Sequence, residues 1–259
     1  MPFTPAHAIA ALPFRRTGLP TTALVVGCLS PDFEYFLHLS ARGAFGHTLA
    51  GMFLLDLPLS LLVLWLFERY VKDALSTLSP ELFPFQKGSG STRLEYPVRT
   101  RWILVILAIL LGASTHILWD AFTHPAFWPY RHLPFLHEGV HLPLAGTVQL
   151  YKGFQYGSGV LGLTILIVLW AGWIRRSWCR HLPGLNWTAL ALVGFAIAGA
   201  VLRVFVGVKL LHSPRRLSVY ASEAVITFIV VLWFELVLCG IRKRPGAKAR
   251  RDDASDSAA

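Results

Sequence analysis

Charge is what this sequence has least of. Only 15% of its 259 residues are Asp, Glu, Lys or Arg, against about 25% in an ordinary soluble domain. A soluble chain of this composition would have to bury five nearly uncharged runs in one core, so a water-covered domain is excluded. Cysteine is almost absent too. Cys28, Cys179 and Cys239 are scattered, with no C-x-x-C pair, which excludes a disulfide framework and leaves small apolar packing as their role. No repeat of about 20–50 residues is visible, so solenoids are out. No secretory signal is apparent either: a basic stretch followed by an apolar core is missing, and Pro13, Arg15 and Arg16 cut the first hydrophobic segment short.

In place of charge stand long apolar runs: Thr48–Phe67, Trp102–Phe122, Gly157–Ile174, Trp187–Val208 and Ser222–Ile241. Each is long enough as a helix to cross a hydrocarbon core of about 30 Å. A sixth, weaker stretch, Gly18–Leu39, is interrupted by Pro31, Asp32 and Glu34. The expectation is an all-α, polytopic helical membrane protein with five full spans plus an N-terminal hairpin or a sixth span.

Net charge is +10, and its distribution shows what it is for. With six segments and the N-terminus inside, seventeen of the 24 Lys and Arg residues fall in inner segments. Six fall in outer loops, and Arg203 lies within a run. That asymmetry is the positive-inside pattern. The bilayer is therefore the expected partner, no nucleic-acid module is needed, and the C-terminus is expected in the cytoplasm. Residues 1–241 read as one helical membrane domain. Residues 242–259 are basic, then acidic and rich in Ser and Ala, and read as a disordered tail whose basic part would attract anionic lipid. Gly88–Thr92 reads as a flexible Gly/Ser stretch.

The N-terminus permits two geometries. Thr4–Pro5 is a helix start, with Thr as cap and Pro in the first turn. A helix to about Phe14, a turn over Arg15–Pro20 and a second helix over Thr21–Ser30 would form a hairpin bringing His7 near Asp32. The alternative is a single span from Gly18 to Leu39, which leaves His7 on the opposite side. Between Thr123 and Tyr156 lie His124, His132, His137 and His141 with four prolines. That segment reads as an irregular loop, either capping a site or resting at the membrane interface.

Ionisable groups inside apolar runs are costly and mark functional sites. His116, Asp120 and His124 stand four apart near the end of the second long run, so each neighbouring pair shares a helix face. His116 lies about 21 Å along its helix, in the outer half. Asp32, Glu34 and His47 fall at similar depth. His116 and Asp120 suit one metal ion, as the two His of a helical H-E-x-x-H do. His116 and His124 are about 12 Å apart along a straight helix, too far to share it. His124 then needs a helix broken at Pro125, a second ion, or an indirect role. Asp32, Glu34, His47 and His7 are the further candidates for a divalent ion, zinc first, manganese or iron less specifically. Such an ion activates water and polarises an ester or phosphoryl oxygen.

Plainer readings exist for each. His116 and Asp120 could be interhelical hydrogen-bonding groups, and Asp32 could cap the following helix. Asp56 sits deeper and reads as lining a cavity or pairing with Arg203, not as a ligand. Glu223 reads as a residue at the start of the last helix, favoured by its dipole. Tyr151, Gln155 and Ser158 are weak candidates for approaching a substrate. A transporter whose polar groups line an ion path, and a non-catalytic scaffold, are the alternatives to an enzyme.

Four motifs carry a resemblance: M-P-F-T-P-A-H at the start, S-P-D-F-E at Ser30–Glu34, G-H-T at Gly46–Thr48, and H-I-L-W-D-A-F-T-H at His116–His124. In this order they resemble a bacterial multi-pass family that carries the label domain of unknown function 4184. More distantly, they are similar to the membrane-bound metal-dependent hydrolases, which have an early His, a P-D-x-D, a His followed by Ser, and H-x-x-x-D. Glu34 replaces the second Asp of that pattern, Thr48 replaces the Ser, and Ala44-Phe45 stands where an R-G pair would be. The resemblance implies His7, Asp32, His47, His116 and Asp120 as metal ligands and favours the hairpin, since it puts His7 in the site. The implied activity is hydrolysis of a lipid or phosphoester at the outer face of a bacterial cytoplasmic membrane, with Glu34 or His124 as general base or supporting group.

Overall fold

The computed structural model describes residues 4–80, 83, 98–125, 127–142, 146–178, 186–209 and 217–242. The Gly/Ser-rich stretch 88–92, Cys179 and the tail 243–259 lie outside them. Five helices are long and apolar enough to cross a membrane: Leu49–Leu78, Arg101–His132, Leu150–Arg175, Trp187–Val208 and Ser218–Arg242. The protein is an all-α polytopic membrane protein. Its outward apolar side chains, among them Leu118, Phe195 and Leu202, each more than 60% exposed, suit lipid rather than water.

Two compact units are present. One comprises Met1–His38, Arg42–Leu64 and Gly90–Arg176, and the other Leu39–Ala41, Trp65–Ser89 and Ser177–Ala259. The first begins with the hairpin. Its opening arm, Thr4–Phe14, is a 3-10 helix throughout, not the α-helix expected. At about 2.0 Å per residue it is longer than an α-helix of the same count. After a turn, the α-helix Thr21–Leu29 packs back on it, and the 3-10 turn Ser30–Asp32 leads into Phe33–His38. The arm packs on Thr21–Leu29 as the hairpin expects, and no segment over Gly18–Leu39 is among the five described helices long and apolar enough to cross a membrane. Thr4 does not act as a helix cap: its hydroxyl donates to Asp32 Oδ2 at 2.5 Å across the hairpin.

The hairpin lies against the long helix Val98–Thr123 at backbone contact. A Cβ on Gly27 would stand 2.3 Å from the Ile109 carbonyl oxygen, and one on Gly112 would stand 2.4 Å from that of Leu24. Only glycine permits this approach, as at close helix crossings in membranes generally. Ala23, Leu24, Cys28, Val105, Ala108 and Ile109 form the buried core around it.

The helix starting at Leu49 is capped by Thr48, whose hydroxyl accepts from the Gly51 N–H at 2.9 Å. It widens into a π-turn over Met52–Asp56. Pro58 follows one residue beyond it, after Leu57; it cannot donate an i→i−4 bond, and the wider turn absorbs the mismatch. The segment after Thr123 is more regular than expected. It holds the helical turn Trp128–His132, the 3-10 turn Pro134–His137 and a two-stranded antiparallel ladder, Gly139–Leu142 with Gly146–Gln149. The next helix begins at Leu150 rather than Gly157.

In the second unit Trp187–Lys209 pairs with Leu217–Arg242. Glu223 is not at a helix start: it lies well inside Leu217–Arg242, is buried, and pairs with Arg203 at 3.3 Å. Arg203 thus has a partner other than Asp56.

Candidate metal centre

Five side chains from four chain segments converge in the first unit. The 3-10 arm brings His7, the Ser30–Asp32 turn brings Asp32, and Val98–Thr123 brings His116 and Asp120 on one face. The turn before Leu49 brings His47. His116 is fully buried, and Asp32, Asp120 and His7 are 3%, 3% and 6% exposed. The facing atoms are close: His7 Nε2 to Asp120 Oδ1 3.5 Å, His47 Nε2 to Asp120 Oδ2 3.4 Å and to Asp32 Oδ1 3.5 Å. His116 Nε2 lies 3.6 Å from Asp120 Oδ2 and 3.8 Å from Asp32 Oδ1.

The hydrogen bonding behind the cluster determines what these atoms are. His116 Nδ1 lies 2.7 Å from the Cys28 carbonyl oxygen. A carbonyl only accepts, so Nδ1 carries the proton, and in a neutral ring Nε2 presents a bare lone pair. The same nitrogen faces two carboxylates. His7 Nε2, His47 Nε2, His116 Nε2 and Asp120 Oδ1 are all buried without a hydrogen-bond partner. Such a gathering of buried, unpartnered polar atoms is costly unless a cation or shared protons lie among them. Burial lowers the His7 pKa to about 3, with the neighbouring His116 adding to the effect, so His7 is neutral and ligand-competent. Burial also raises the Asp32 carboxyl, and a cation beside it would return it to the ionised form.

The spacings fit a metal. Two ligands each about 2.1 Å from an ion at the tetrahedral angle stand about 3.4 Å apart. Two trios, His7–His116–Asp120 and Asp32–His47–His116, each have ligand atoms within 4.8 Å of one another. They share His116, whose one free lone pair could serve one ion at a time. His7 stacks on His116 with ring centroids 3.7 Å apart and ring planes 13° from parallel.

The supporting contacts are equally specific. Glu34 Oε2 accepts from the Gly46 N–H at 3.1 Å, and the Thr48 hydroxyl donates to the Phe45 carbonyl at 2.7 Å. Together they hold the turn that presents His47. Glu34 is thus placed behind a ligand and belongs to neither trio. His124 lies at the rim, its side chain 23% exposed and Nδ1 3.4 Å from Asp120 Oδ2. Its Nε2 is 3.1 Å from the Gln155 amide nitrogen. His124 joins neither trio, in keeping with its distance from His116 along the helix.

Of the remaining loop histidines, His132 and His137 bond the carbonyls of Trp128 and Tyr130, and His141 lies beside Thr147. None of the three joins the cluster. Phe127 does approach it, its ring 6.4 Å from that of His47. Sequence reasoning missed the Cys28 carbonyl and the roles of Thr4 and Phe127. Only the hairpin expectation pointed toward Thr4.

Among curated proteins and among solved structures, nothing matches the chain. A family model does match, over residues 1–241, and so covers every residue of the cluster. The chain belongs to the family described as domain of unknown function (DUF4184).

Proposed function

We propose that this protein is a membrane-embedded metal-dependent hydrolase. His7, Asp32, His47, His116 and Asp120 hold one divalent ion, zinc first, with manganese or iron as alternatives. The substrate class is a lipid or phosphoester. The observation that carries this reading is the set of buried, unpartnered nitrogen and oxygen atoms that face one another, with His116 Nε2 presenting a lone pair to the carboxylates. The donor types, imidazole and carboxylate, are those found at catalytic zinc and related sites, where an ion that keeps one position open for water engages only some of the five at a time.

Such an ion supplies an activated water and a polarised ester or phosphoryl oxygen. The chain's own residues divide the other work. His124, partly exposed and oriented by Asp120 and Gln155, is the group placed to hold or pass a proton at Nε2. Glu34, engaged by the Gly46 N–H, positions the His47 turn. Phe127 and the hairpin restrict water around the ligands. Asp120 is three residues from the end of its helix at Thr123, so the centre is near a membrane face, where a headgroup ester can reach it. The Lys/Arg asymmetry of the loops between the long spans supports placing that face outside a bacterial cytoplasmic membrane, with the C-terminus inside.

The test is elemental analysis of detergent-purified protein beside Asp120→Ala. The wild type is expected to carry stoichiometric zinc and the variant none. A wild type without stoichiometric metal after reconstitution with zinc and with manganese refutes the reading. Metal-loaded protein is then assayed for release of headgroup or acyl chain from mixed micelles; bound metal without turnover turns the reading toward ion handling.

A further inference from the structure

The chain between the second and third long helices carries a surface that the metal cluster does not use. The strands Gly139–Leu142 and Gly146–Gln149 pair Val140 with Val148 and His141 with Thr147. Side chains alternate between the two faces of a strand, so Val140 and Val148 share one face, and His141, Thr147 and Gln149 share the other. The polar face is exposed at all three positions, and His141 Nδ1 lies 3.5 Å from the Thr147 hydroxyl on it. The apolar face is open as well: Val140 is 46% exposed and Val148 is half-buried. Among the described residues neither strand packs on another element as it packs on its partner. A two-stranded hairpin alone is marginal in water, so an amphipathic one with its apolar face open calls for a cover.

The height of the hairpin along the spans says what that cover is. Its base is tied to a span: Gln149 pairs with Gly139, and the Leu150 N–H donates to the Glu138 carbonyl at 2.9 Å. Leu150 is the first residue of the helix Leu150–Trp178. The apolar part of that helix, Leu150–Arg175, has 26 residues and is about 39 Å long. A hydrocarbon core is about 30 Å thick, and a bilayer with its headgroup layers about 40–45 Å. An upright helix therefore puts Leu150 at headgroup level, and the hairpin with it. The span Arg101–His132 ends on the same side, joined to this helix by the 3.1 Å hydrogen bond from Trp119 Nε1 to Ser158 Oγ. Exposed apolar side chains continue from the lipid-facing parts of both spans toward the hairpin: Leu118, Phe122 and Trp128 on one, Val160, Tyr156 and Phe154 on the other. Trp and Tyr at this level are the usual side chains of the membrane–water interface.

We propose that the hairpin lies along the bilayer surface as an interfacial anchor, with its Val140–Val148 face in the lipid and its His141–Thr147 face in water. The partner is the lipid leaflet at the end of the spans that holds the His/Asp cluster. The anchor is one residue step from that cluster: Phe127, whose ring is 6.4 Å from that of His47, precedes the exposed Trp128. The proposal depends neither on a metal in the cluster nor on hydrolysis.

The experiment places an environment-sensitive fluorophore on Val140→Cys, Val148→Cys, His141→Cys and Thr147→Cys, one at a time, in the full-length protein. Each is reconstituted in phosphatidylcholine nanodiscs, which leave both membrane faces open to water. The unsubstituted protein, carried through the same labelling, supplies the background from Cys28, Cys179 and Cys239. Iodide quenches from the water, and lipid brominated on its acyl chains quenches from the bilayer. The label at 140 and 148 is expected to emit at shorter wavelength, to be quenched by brominated lipid and to be shielded from iodide; at 141 and 147 the reverse is expected. Iodide quenching at all four positions, or equal quenching by brominated lipid at all four, overturns the proposal. Shielding of 140 and 148 from both quenchers shows that protein covers the face and overturns it as well. Should one variant fail to fold, the other position on the same face carries the test.

Discussion

Replacing Asp120 by Asn should change stability in opposite directions with and without metal. In the metal-free protein Asp120 Oδ1 faces His7 Nε2 at 3.5 Å and Oδ2 faces His47 and His116 at 3.4 and 3.6 Å. His116 has no proton at Nε2 to offer, because its Nδ1 proton goes to Cys28. An Asn amide places one N–H group among these lone pairs. An orphaned buried acceptor costs about 1–3 kcal/mol, so Asp120→Asn should be about 1–2 kcal/mol more stable than the wild type in chelator. With zinc the order reverses. An ion present at about a thousandfold excess over its Kd adds about 4 kcal/mol to the wild type, and the neutral amide forfeits most of that. At about 2–4 °C per kcal/mol for a chain of this size, the variant should melt about 2–8 °C higher in chelator. The wild type should gain about 8–16 °C with zinc and overtake it. The assay is thermal unfolding in detergent at a fixed scan rate, followed by tryptophan fluorescence. If Asp120→Asn melts lower under both conditions, Asp120 serves as a structural partner of a protonated histidine, and the metal reasoning fails.

Two further outcomes follow from other parts of the molecule. Gly46→Ala introduces a Cβ 2.6 Å from the Pro31 carbonyl, which must displace the turn carrying His47. Zinc affinity, read by competition with a chromophoric chelator, should fall about 10–100-fold, as when the support of a ligand is lost; an unchanged affinity would show that the turn does not set the ligand. A reporter fused after Ala259 should read cytoplasmic, and an external signal would refute the orientation drawn from the Lys/Arg asymmetry.

Much of this architecture was legible before any coordinates, for identifiable reasons. Apolar runs of span length announce themselves, so all five long helices were found, with ends off by up to about three turns. Leu150–Trp178 starts early because Tyr151, Gln155 and Tyr156 are too polar for a hydropathy pattern to include. Polar residues in apolar surroundings stand out equally, which is why His116, Asp120, Asp32 and His47 could be picked. What could not be read was anything set by the backbone. The 3-10 winding of Thr4–Phe14, the π-turn before Pro58 and the Cys28 carbonyl that fixes the His116 tautomer leave no side-chain pattern. Glu34 shows the same limit: S-P-D-F-E left open whether it is a general base or a supporting group, and its 3.1 Å bond to the Gly46 amide could not be read from that motif.

The N-terminal arm has a consequence for how the protein is made. His7 leaves the ribosome early, yet its partners His116 and Asp120 are synthesised roughly a hundred residues later, so closing that loop is a late event. Until the helix Val98–Thr123 has inserted, the arm has nothing to stack on, and Thr4–Phe14 has no stable reason to hold its tight winding. Metal capture would then act as a latch, fastening the start of the chain to its middle after the spans are in place. A folded tag joined to the N-terminus burdens that last step, whereas one at the C-terminus leaves it free.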